Sequence, residues 1–171
     1  MRTTTYLAAL ATSALIGLGA SAAPASAAAP TTEKQRGVVI TCTGSAQGLS
    51  VYVDLYENDK HGNVVQVILN DNPDTAKSRE LAQPFLNDGV VKTGITINAK
   101  RVSISGTAER VGPKRHVHEV IEDGGEHIVS DGFHRHLAND LVLKYGQKTV
   151  PLDCAPAFYY DLTVTREPIE G

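Results

Sequence analysis

Histidine is concentrated in one stretch. Of six in the chain, His116, His118, His127, His134 and His136 fall within RHVHEVIEDGGEHIVSDGFHRHL. Imidazole titrates near neutral pH and is a common metal ligand. An H-x-H step on a strand sets two rings side by side, and a cross-strand carboxylate or third histidine completes a site for zinc, copper or iron. The same pairing of histidine with carboxylate supports proton transfer or a pH-sensitive interface. It is also what a solvated strand face looks like, with cross-strand pairs worth roughly 0.2–1 kcal/mol each.

The spacing says how a fold must present these groups. Gly124-Gly125, between Asp123 and Glu126, predicts a two-residue hairpin loop. In that register His118 faces Asp131 and Glu122 faces His127. His116, His118, Glu122, His127 and Asp131 then share one face and form the metal-ligand set, with a divalent transition metal as the cofactor they would hold. Val117, Ile121 and Ile128 share the other face, which is expected to point into the core.

The rest of the sequence has period two. Leu49, Val51, Val53 and Leu55 alternate with Ser50, Tyr52, Asp54 and Tyr56. Shared faces recur at Val38, Ile40 and Cys42; Val65, Val67 and Leu69; Ile95 and Ile97; Val102 and Ile104; Leu141, Leu143 and Tyr145. By the same rule Phe158, Tyr160, Leu162 and Val164 point inward, and Tyr159 and Asp161 outward. Turn residues punctuate these runs at Lys60-His61-Gly62-Asn63, Asn98-Ala99-Lys100 and Tyr145-Gly146-Gln147. One stretch, Asn70 to Asp88, breaks the pattern and is expected to be a long loop. It holds at most one helical turn, capped by Asp74 and ended by Pro84. The expected architecture is all-β: one antiparallel β-barrel or β-sandwich with one long loop.

The chain has 171 residues, enough for a single domain with one sizeable core. Arg2, an apolar run from Leu7 to Leu18 and a small-residue tail ending in Ala25-Ser26-Ala27 make a secretory signal. The expected organisation is a signal peptide over 1–27, a flexible leader over 28–36 and one β domain over 37–171, secreted and extracellular. In that compartment Cys42 and Cys154, which flank most of the domain, are expected to form one disulfide that closes the fold. Sixteen Lys and Arg against nineteen Asp and Glu give a net charge of −3, which excludes a phosphate-tracking nucleic-acid binder. No segment after the leader is apolar enough for membrane insertion.

Two resemblances add to this reading. His116-Val-His118-Glu-Val-Ile-Glu122 resembles the H-x-H-x3-E core of the cupin metal motif. That resemblance implies His116, His118 and Glu122 as ligands on a small β-barrel. Over the mature chain, the TCTG opening at Cys42 and the VPLDCAPAFYYDLTVT ending at Cys154 resemble small, one-disulfide, exported β proteins of high-GC Gram-positive bacteria. This second resemblance implies an address and a topology, and no activity.

Other chemistry lacks its motif. There is no G-x-S-x-G elbow, P-loop or dinucleotide fingerprint, and no Trp to stack a sugar. Ser130, Asp131 and His134 do not have the setting of a nucleophilic triad. The function expected is extracellular binding of a small-molecule or protein ligand without catalysis. The alternative is a cupin-like metal-dependent enzyme built on His116 to His136.

Overall fold

The computed structural model describes residues 29–169. The signal peptide expected over 1–27, with its cleavage site, lies outside the described residues. Among the described residues ten strands follow one another: β1 (Thr31–Ala46), β2 (Leu49–Asn58), β3 (Gly62–Leu69), β4 (Lys77–Leu81), β5 (Leu86–Asn87), β6 (Val90–Ile97), β7 (Lys100–Arg110), β8 (Arg115–Asp123), β9 (Glu126–Tyr145) and β10 (Lys148–Pro168). Every pairing is antiparallel, in the order β4-β3-β2-β1-β10-β9-β7-β6-β5, with β8 attached to β9. The sheet curls into a half-barrel. Among the described residues no helix is long and apolar enough to cross a membrane.

The concave side holds the core. Val38, Ile40 and Cys42 meet Val53, Leu55, Val65 and Val67 across it, with Ile97, Val102, Ile104, Leu137, Leu141 and Leu143 on the other wall. β-Branched and leucine side chains at every second position fill this space with almost no exposure, as in other small barrels whose interiors are solid. Cys42 and Cys154 are register partners on β1 and β10 and are joined by a disulfide. The bridge ties the first strand to the last at the middle of the sheet order.

Two long strands carry the rest of the design. One edge of β9 is shared: its first half pairs with β8, and its second half, from Leu137 to Tyr145, pairs with β7. β10 follows the other edge of β9, and its register shifts between Leu152 and Phe158, beside the cis Ala155-Pro156 bond. The hairpin therefore extends past the half-barrel as an arm.

Four expectations are corrected. Tyr160 and Val164 are buried, but on the side of the sheet opposite the main core, together with Phe158 and Leu162. Ala157 and Tyr159 face the core instead. β10 has an apolar environment on both faces, the main core on one and the Phe158–Val164 strip on the other, so alternation alone cannot say which face is inside. Likewise Ile121 and Ile128 of the arm line this outer side, not the main core. The stretch from Asn70 to Asp88 is more ordered than a loop: a 3-10 turn (Pro73–Thr75) is capped by Asn72, not Asp74, and β4 then pairs with β3. Finally, the segment expected as a leader is strand from Thr31, because Thr31 to Arg36 find register partners in Asp161 to Arg166.

Candidate functional site

The histidine hairpin has the register that its turn dictates. Gly124 and Gly125 both adopt positive φ, 59° and 80°, as a tight two-residue turn requires. His118 lies opposite Asp131 and Glu122 opposite His127. Asp131 is the centre of one group: His118 Nδ1 lies 3.0 Å from its Oδ2 and His116 Nε2 lies 3.5 Å from its Oδ1. The hydrogen bond from His118, with help from His116, holds the Asp131 carboxyl below its ordinary range. Glu122 and His127 sit four residues further along their strands, nearer the turn. The five residues thus divide into a bridged trio and a separate pair. Among the described residues no three His, Cys, Asp or Glu side chains converge as a metal-holding set. His136 sits two residues beyond His134 on the same face of β9, and the two line a shallow depression with Pro156 and Phe158.

On the outer side of the sheet the arm and the body enclose a groove of about 570 Å³. Phe158, Tyr160, Leu162 and Val164 of β10 make its floor, Val39 and Tyr56 one wall, and Ile121 and Ile128 the other. His134 stacks on Phe158 with ring centroids 4.2 Å apart and planes 18° from parallel. Burial pushes the His134 imidazole below its ordinary value, against the opposing pull of Glu119.

A buried amide organises one end of this groove. Asn58 Nδ2 lies 3.0 Å from Gln35 Oε1, 2.9 Å from the Tyr56 hydroxyl and 2.9 Å from the Tyr160 hydroxyl. Two hydrogens are shared among three oxygens. Tyr160 in turn donates to the Glu57 carbonyl at 2.9 Å, and burial drives its phenol far above the usual range. Gly37 makes this approach feasible, because a Cβ there would collide with the Glu57 carbonyl and the Tyr160 hydroxyl.

A second concavity of about 640 Å³ opens at the mouth of the half-barrel, between Arg36, Glu57, Pro84, Arg110 and Tyr159. Three of its charged groups already have partners. Arg36 pairs with Asp161 at 3.2 Å, the Arg110 guanidinium lies 3.6 Å over the Tyr159 ring, and Glu57 accepts the Leu86 N–H at 2.6 Å. Burial raises the Glu57 carboxyl above its ordinary value, opposed by the backbone N–H groups of Leu86 and Phe85.

Sequence reasoning found the hairpin and missed both concavities. The Asn58 network left a trace in the turn after β2, where Asn58 Oδ1 accepts from the backbone of Lys60 and His61. Nothing local tied Asn58 to Tyr160.

No family model and no curated protein matches this sequence. Among solved structures, a resemblance extends to a crystal structure provisionally assigned as AttH from Nitrosomonas europaea. The identity is 9% and the TM-score 0.34, over 81% of this chain and 52% of that one. The chain spans about half the length of that protein.

Proposed function

We propose that this is an exported, non-catalytic binding module whose ligand site is the outer groove between the β8–β9 arm and the β1–β2 wall. The observation that carries this reading is the floor of Phe158, Tyr160, Leu162 and Val164, an apolar strip on the sheet face that the main core does not use. Concave sites of several hundred Å³ with an apolar lining and a few convergent polar groups are the usual shape of small-molecule sites. The polar groups here are Gln35, Tyr56, Ser130 and His134 along the rim, with Glu119 and Arg166 at opposite signs. A ligand with a flat apolar body and one hydrogen-bonding group fits this chemistry. The main interior is filled by its own side chains, which favours a surface groove over an internal cavity. Export supplies the context in which the Cys42–Cys154 disulfide persists.

The test is a titration of the mature protein with anilinonaphthalene sulfonate and a panel of aromatic amphiphiles. Binding is followed by the emission of the groove tyrosines and by chemical shifts of Phe158 and Leu162. Saturable binding that Leu162→Glu removes while the far-ultraviolet spectrum is kept supports the groove. No saturable binding, or binding that Leu162→Glu leaves intact, overturns it.

A further inference from the structure

The arm has a second use that does not depend on the groove. β8 pairs with β9 on one edge, and its other edge faces solvent. All its residues are exposed except the half-buried Val117. An open edge of nine residues is a template for another strand, and proteins ordinarily blunt such an edge. Exposed apolar surface also gathers here. Among the described residues the large exposed hydrophobics include Val120, Ile121 and Phe133 of the hairpin, and Ile169, whose N–H bonds Gly125 at the hairpin tip.

The decisive feature is the order of charges along β8, Arg-His-Val-His-Glu-Val-Ile-Glu-Asp. Turned end for end about Glu119, the strand complements itself. Arg115 meets Asp123 of a second copy, His116 meets Glu122, Val117 meets Ile121 and His118 meets Val120. Only Glu119 meets its own like. Hydrogen-bond parity agrees with this register. A two-residue turn makes Asp123 and Glu126 a hydrogen-bonded pair, so the odd-numbered residues of β8 bond to β9. The N–H and C=O groups of His116, His118, Val120 and Glu122 therefore point to the free edge. In the self-paired register these four bond one another, and the two-fold axis passes through the non-bonded Glu119 pair.

We propose that the β8 edge is a homodimerisation surface: two copies join antiparallel, β8 to β8 about Glu119, into one sheet continuous across a two-fold axis. An isologous contact of this kind closes on itself, which lets an exposed strand pair without growing into a fibre. The contact is small, so the dimer is expected at tens of micromolar protein.

Sedimentation velocity of the mature protein over a concentration series tests this, with variants that act on the pairing and spare the fold. Val120→Pro removes an N–H that β9 does not use, on an edge where proline is tolerated, and is expected to be monomeric throughout. Arg115→Asp and Asp123→Arg are each expected to weaken the dimer at least fivefold, because each sets like charges opposite one another twice. Mixed in equal amounts, these two variants are expected to form a heterodimer, since both end pairs are then opposite in sign. Glu119→Gln removes the one repulsive pair and is expected to tighten association. A wild type that stays monomeric up to millimolar concentration overturns the proposal. So does a dimer unaffected by Val120→Pro, or charge variants that fail to recover on mixing.

Discussion

Asn58 and Tyr160 lie 102 residues apart in the chain, and the amide nitrogen of one sits 2.9 Å from the phenol oxygen of the other. The Asn58 carbonyl oxygen meanwhile accepts the N–H groups of Lys60 and His61, so one side chain both fixes the β2–β3 turn and bridges to β10. Asn58 itself is buried, so its own side chain has little access to solvent in exchange for these bonds.

Asn58→Ala is therefore expected to cost about 2–4 kcal/mol, since it strands several buried partners at once. Tyr160→Phe keeps the ring and is expected to cost about 1–2 kcal/mol. Urea unfolding of the oxidised protein measures both. A smaller loss for Asn58→Ala than for Tyr160→Phe contradicts the central place of the amide.

Reduction, or the Cys42→Ala/Cys154→Ala double variant, is expected to lower stability by about 2–5 kcal/mol. The bridge closes most of the domain into one loop and so restricts the unfolded chain. Thermal unfolding with and without reductant, in the absence of ligand, reads the difference.

His134 carries a pH signature. Its folded value lies below the ordinary 6.5, so the unfolded chain takes up the proton first as pH falls. Stability from this group is intact above about pH 6.5 and is lost as pH drops from there through the lower folded value. His134→Phe retains stacking on Phe158 and is expected to flatten the stability profile in that window. An unchanged slope between pH 7 and 5 argues against burial as the cause.

Glu57 works in the opposite direction. Its folded value lies above 4.5, so its favourable contribution is complete below pH 4.5 and declines as pH rises through the raised folded value. Glu57→Gln keeps an acceptor for the Leu86 N–H and is expected to gain on the wild type at pH 7 relative to pH 4. Melting temperatures at the two pH values decide this, and a gap that widens toward acid contradicts the assignment.

How much was legible in the sequence follows from how local each cause is. The hairpin register is set by two adjacent glycines, so the placement of His118 opposite Asp131 and Glu122 opposite His127 could be read directly. Period-two alternation likewise marked Val51, Val53 and Leu55 as buried, and the paired cysteines marked the closure. β4 escaped notice because Lys77 to Leu81 has no alternation; only the partner edge of β3 makes it a strand.

Alternation along the chain determined that this protein is an antiparallel sheet, and its turn residues determined where the histidine face and its carboxylates would meet. Which side of β10 is inside was decided only by the tertiary structure. Alternation divides a strand into two faces but carries no sign, and the sign comes from the direction in which the sheet curls. Here the half-barrel closes its core on one face of β10 and leaves the other to line an outer groove, so Tyr159 faces the core and Tyr160 reaches Asn58 beside that groove.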